Sequence, residues 1–224
     1  MTVRIAAALA ATLLAGSALA QQPIKPAVTF DVGGKFDKSF NEASYNGAEA
    51  FKKKTGIAYR EFEVQNDAQR EQALTRFARD GNDPIVVTGF SNGAALKKVA
   101  AEFPKTRFTI IDFVVDLPNV QSIVFKEHEG SYLVGIAAAM ASKSNKVGFV
   151  GGMDIPLIRK FACGYVAGVK AAKPGAEVFQ NMTGTTGAAF NDPVKGAELA
   201  RSQMDRGADV VYHAAGGTGA GVLR

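Results

Sequence analysis

Along this chain the spacing of hydrophobic positions switches repeatedly between two periods. Short apolar runs rich in β-branched residues, at 27–32, 57–64, 84–89, 107–112 and 120–125, have the length and composition of buried strands. Between the first four, residues 39–54, 68–79 and 94–102 carry apolar side chains at helical spacing, the last segment stopped by Pro104. Each connection is long enough for a right-handed crossover, so the strands are expected to lie parallel in one sheet with helices on both faces.

After Phe125 the rhythm pauses at a small-residue helix, 130–142, and the polar run "SKSNK" precedes a new strand at 146–151. A domain boundary is expected there, with a first α/β lobe over 21–144 and a second over 145–224. The second repeats the pattern: a helix at 155–173 closed by Pro174-Gly175, a strand at 177–182, a helix at 192–206 and a strand at 209–214. It breaks off as "GGTGAGVLR" should open the next helix. The second lobe is therefore expected to be incomplete, with about three strands where five or six are usual.

The first twenty residues stand outside this pattern. Arg4 precedes the apolar run 5–15, and Ala18-Leu19-Ala20 supplies small residues at cleavage spacing, the composition of a secretory signal peptide. The run is too short for a spanning helix of about 20 residues, and no later segment qualifies. Gln21 and Gln22 occupy the place where a lipoprotein would need cysteine. A soluble periplasmic protein without a lipid anchor is expected. Without Arg4 the chain carries 25 Lys and Arg against 21 Asp and Glu, a net charge of +4 with no long basic block beside aromatics, which argues against a nucleic-acid partner. Cys163 is the single cysteine, so neither an internal disulfide nor a cysteine metal set can form. Its surroundings, "KFACGYVAG", read as those of a small buried helix residue. His128 and His213 lack neighbours at ligand spacing and read as core or solvent-facing residues. The glycines of "AAGGTGAG" do not form G-x-G-x-x-G, and "GFVGG" lacks a following Lys-Ser or Lys-Thr, so no metal or cofactor is expected.

Two α/β lobes behind an export leader imply a ligand cleft, because parallel sheets bind at the carboxyl ends of their strands. In "FDVGGKFDKSFNEASYNG" the paired glycines Gly33 and Gly34 would let backbone approach a ligand ahead of a helix N-terminus. Yet Asp31 and Asp37 put carboxylates where a phosphate would otherwise sit. Other strand ends supply Gly89-Phe90-Ser91-Asn92, Asp112 and Phe190-Asn191-Asp192. Carboxylates, amides and phenyl rings suit a neutral, hydroxyl-bearing, flat-faced ligand. Plainer roles compete: loop capping for Asp31 and Asp112, core packing for Phe40 and Phe190, a helix cap for Asp192. Ser91 lies in "GFSNG", which satisfies G-x-S-x-G, so an exported α/β hydrolase using Ser91, with His128 or His213 as base and Asp116 or Asp209 as acid, is the alternative.

Five segments, "DVGGKFDKSFNEASYNGAEAF", "FPKTRFTIID", "FKEHEGSYLVGIAAAMASKSNKVGFVGGMDIPLIRKFACGYVAGVKA", "FNDPVKGAELA" and "AAGGTGAGV", span nearly the whole mature chain. In this order they resemble the basic membrane protein (Bmp) family, the purine-nucleoside-receptor-like substrate-binding proteins of ABC importers. The resemblance implies a periplasmic-binding-protein type I-like fold, two doubly wound parallel-sheet lobes closing on a purine nucleoside or related small molecule. It also implies ABC permease partners and a monomer without catalysis. By the same resemblance Phe40 and Phe190 match the rings that sandwich the base, Asp31 and Asp112 the ligand-facing carboxylates, and Asn41 the residue after the first ring. With the strand-end Ser91 these form the expected ligand site. Many members are lipoproteins, and the family continues past "GGTGAGV".

Overall fold

The computed structural model describes residues 24–224. The leader expected over residues 1–20 lies outside the described residues. In the first lobe β1 (Ala27–Phe30), β2 (Arg60–Glu63), β3 (Ile85–Thr88), β4 (Phe108–Ile111) and β5 (Val120–Ile123) form a wholly parallel sheet in the order β2-β1-β3-β4-β5. The connecting helices are α1 (Phe40–Thr55), α2 (Ala68–Arg79) and α3 (Gly93–Glu102). Strand side chains alternate in direction, so Ile85 and Val87 of β3 and Phe108 and Ile110 of β4 enter one core with Leu74 and Phe77 of α2 and Leu96 and Val99 of α3. The opposite face, with Val28, Val86 and Ile111, forms an apolar groove beside Ser44, Ala48 and Phe51 of α1.

The second lobe contains α4 (Glu127–Ala141), β6 (Lys146–Met153), α5 (Pro156–Ala172), β7 (Glu177–Gly184), α6 (Pro193–Asp205), β8 (Val210–Ala214) and the short α7 (Gly219–Val222). Its sheet is parallel and three-stranded, in the order β7-β6-β8. Helix α4 stands before the boundary expected at 144–145, but its Ala138 and Ala139 share a core with Val147, Phe149, Ala162 and Tyr165. The cause is steric: Gly164 and Gly168 of α5 bring its backbone against the His128 and Tyr132 carbonyls of α4, closer than any side chain would permit. Val150, Ala200 and Val222 form a smaller core on the other face.

Cys163 corrects an expectation, because it is exposed. The buried stripe of α5 runs through Ile158, Ala162, Tyr165 and Val169, and the next residue after Ala162 is turned about 100° away from it. In both sheets the chain winds first to one side of its opening strand and then to the other, which leaves a crevice outside the carboxyl ends of β1 and β3 and another outside those of β6 and β8. Among the described residues no helix is long and apolar enough to cross a membrane.

Candidate functional site

The N-terminus of α1 is closed by the chain itself. Asp37 Oδ1 accepts hydrogen bonds from the backbone N–H groups of Ser39 (2.8 Å) and Glu42 (3.1 Å), while Oδ2 accepts from that of Asn41 (3.1 Å). The amides that could have held a phosphate are thus occupied by a buried carboxylate. Gly33 and Gly34 have left-handed φ of 112° and 76°. They turn the chain toward the second lobe, where Gly33 abuts the Phe190 carbonyl.

The two crevices meet in a cavity of about 230 Å³ whose walls include Asp31, Phe40, Asn41, Ser91, Asp112 and Phe190. Every residue expected at the site is therefore brought to one place, though their local tasks differ. Asp31 Oδ1 is ion-paired with Arg70 Nη1 at 2.6 Å and accepts from the Val32 N–H at 2.8 Å. Gly89, at φ 99°, has no Cβ where one would strike Asp31 Oδ2. The Asn41 side chain is committed to main chain: Oδ1 accepts from the Asp31 N–H at 2.9 Å and Nδ2 donates to the Asp31 carbonyl at 3.2 Å. This two-bond clamp fixes the strand end that carries the carboxylate. Phe40 opens α1, and Phe190 closes the short 3-10 turn Gly187–Phe190. Asp192 caps α6 as expected, accepting from the Lys195 N–H at 2.9 Å.

Asp112 follows β4 with φ 68°, a strained conformation for a non-glycine residue. Its Oδ1 is buried and has no hydrogen-bond partner among the described residues. Burial, then the nearby Glu127 carboxylate, raise its pKa to about 6, partly opposed by Lys160.

Three features lie outside the expected ligand set. Arg70, only 5% exposed, joins Asp31 to Asp67 (2.9 Å) and Asn92 (3.2 Å), and its position in α2 gave no sequence signal beyond an arginine on a helix. Phe90, an aromatic directly after a strand end, packs edge-on against Phe190 at 6.1 Å and 66°. The second lobe adds Leu157, Ile158, Phe161, Tyr212 and His213, which only folding brings to the cavity.

The hydrolase alternative finds no supporting geometry. Ser91 lies in a 3-10 turn and is not among the non-glycine residues with positive φ, unlike the strained serine of a nucleophile elbow. His213 Nδ1 has no hydrogen-bond partner among the described residues, so no acid orients it, and Asp209 instead accepts from the backbone N–H groups of Lys143 and Ser144. His128 lines a different groove, between α4 and α5. Among the described residues no group of three or more His, Cys, Asp and Glu is placed to hold a metal.

The family described as ABC transporter substrate-binding protein, PnrA-like, matches residues 24–224. The chain is 37% identical over 203 residues to a CD4+ T-cell-stimulating antigen of Listeria monocytogenes, covering 88% of this chain and 56% of that protein. It is 36% identical over 205 residues to the ABC transporter nucleoside-binding protein BmpA of Lactococcus lactis, covering 89% and 57%. An uncharacterized lipoprotein of Pyrococcus horikoshii is 36% identical over 210 residues, covering 89% and 51%. The solved ABC transporter solute-binding protein of Aeropyrum pernix superposes with a TM-score of 0.81 at 34% identity, over 90% of this chain and 57% of that one. A LacI-type transcriptional regulator of a Rhodococcus species, at 16% identity and a TM-score of 0.66, shares the fold alone. The chain spans about half the length of the curated relatives it matches.

Proposed function

Because the chain belongs to the PnrA-like family of ABC transporter substrate-binding proteins, we propose that its cavity captures a purine nucleoside or a related small neutral molecule for delivery to an ABC permease. One observation carries this reading: the helix N-terminus beside the cavity is filled by Asp37, while Asp31, Asp112 and the rings of Phe40 and Phe190 line the same space. An anion is disfavoured there, whereas sugar hydroxyls can donate to carboxylates and a base can lie against phenyl rings. Asp31 Oδ1 is taken by Arg70, so Oδ2 serves the ligand. Asn41 acts by holding Asp31 in place. The relative from Lactococcus lactis, described as nucleoside-binding, supports this ligand class.

We place the division between the lobes at 124–126 instead of 144–145, because Ala138 and Ala139 of α4 pack into the second core. Binding without catalysis, as a monomer in an exported location, fits a family that hands small molecules to a permease. Since a relative is described as a lipoprotein, the proposal is confined to export and leaves membrane attachment aside. Calorimetry with adenosine, guanosine, inosine and free ribose tests it. Binding of at least one nucleoside, much tighter than ribose, is expected. Esterase turnover abolished by Ser91→Ala, with no nucleoside bound, would overturn it.

A further inference from the structure

Among the second-lobe side chains on the cavity wall, one retains an uncommitted polar atom. Leu157, Ile158, Phe161 and Phe190 are apolar, and the Tyr212 hydroxyl lies 3.4 Å from Ser131 Oγ. His213 remains. It stands near the end of β8, opposite Val150 of β6 in the register, and its ring rests on Gly219 at the start of α7, where a Cβ would collide with the imidazole. That contact fixes the ring.

The protonation of the ring follows from its surroundings. Burial lowers the His213 pKa below 6.5, so at neutral pH the imidazole is uncharged and carries a single N–H. Nδ1 is buried without a partner among the described residues. An orphaned buried N–H is rarer in folded proteins than an unused acceptor. The proton therefore resides on Nε2, and Nδ1 presents only its lone pair to the wall.

We propose that His213 is a specificity-determining residue whose Nε2–H donates to an acceptor atom, a ring nitrogen or carbonyl oxygen, on the flat part of the ligand. This rests on the reading of the cavity as a nucleoside site. The first lobe presents the carboxylates of Asp31 and Asp112, which accept, and the second lobe brings His213 to the same cavity wall. A ligand carrying donors at one end and an acceptor at the other is held in one orientation, and one lacking the acceptor is refused because His213 would be left unpaired.

The protein has two histidines, so its imidazole ¹⁵N spectrum is readable without substitution. One ring should be neutral with Nε2 protonated at pH 7, and its Nε2–H resonance should shift when a nucleoside is added. By calorimetry His213→Phe should lose roughly ten- to a hundredfold in nucleoside affinity, the consequence of an unpaired polar group. His213→Gln, which keeps a donor at a similar reach, should recover most of it. A ring protonated on Nδ1 with and without ligand, or a His213→Phe variant that binds nucleosides as tightly as the parent, overturns the inference and leaves the nucleoside reading standing. A parent protein that binds no nucleoside fails that reading first and takes the inference with it. The spectrum of the parent decides the tautomer even if a variant does not fold.

Discussion

Phe190 reaches the cavity from a 3-10 turn of the second lobe and Phe40 from the first turn of α1, so either ring can lie against a base without its neighbour's help. Each substitution to Ala should weaken nucleoside binding by roughly 1–3 kcal/mol and leave ribose binding unchanged, as calorimetry would show. Arg70 has a different task, because it compensates a carboxylate on a cavity wall. Arg70→Met should lower the unfolding free energy by about 3–5 kcal/mol in urea titrations, and the double variant Asp31→Asn/Arg70→Met should lose less, since no charge is then stranded. Asp112 has the opposite sign. Its folded pKa of about 6 exceeds the ordinary 3.8, so the folded state holds the proton more tightly and stability falls as pH rises from about 4 to about 6. Asp112→Asn should therefore be about 1–3 kcal/mol more stable than the parent above pH 6, with no difference below pH 4. A gap independent of pH would refute this.

At the scale of elements, α1 depends on its first turn. Asp37 satisfies N–H groups that have no intrahelical partner, and the N-cap residue Ser39 makes no side-chain bond of its own. Asp37→Ala should cost about 1–2 kcal/mol in a thermal or urea melt, and Ser39→Ala much less. Removing the Asp37 carboxylate also uncovers the helix end, so weak phosphate binding absent from the parent should appear. Much of this was legible beforehand, because strand runs and helical spacing locate every element from β1 to β8 to within a few residues. What spacing could not show is which sheet a helix chooses. Helix α4 follows β5 in sequence, yet Gly164 and Gly168 of α5 draw it into the second lobe. The same one-residue precision separates Ala162, buried, from Cys163, exposed.

At the scale of the molecule, the cavity takes its walls from both lobes, so a ligand bound there is a tie between two separate cores. Nucleoside at about a hundred times its Kd should add about 2.7 kcal/mol to the stability of the state that binds it. Calorimetric melts should show the unfolding of both lobes moving upward together. A transition in which one lobe shifts and the other stays put would mean that the ligand rests on one lobe alone.

Local chemistry in the sequence determined the alternation of strands and helices, the carboxylate at the start of α1, the strand-end placement of Asp31, Ser91 and Asp112, and the membership of the PnrA-like substrate-binding family. These depend on residues near one another along the chain, where hydrophobic period and turn composition act directly. Tertiary structure alone decided that Arg70 would neutralise Asp31 across 39 positions, that the Asn41 side chain would clamp the Asp31 backbone, and that Phe90 would meet Phe190 from the other lobe. It also decided that His213, with Nδ1 buried, would rest on Gly219 at the cavity wall. Such pairings arise where crossovers return distant strand ends to a common edge, and that geometry is set by how the two sheets pack rather than by any short stretch of residues.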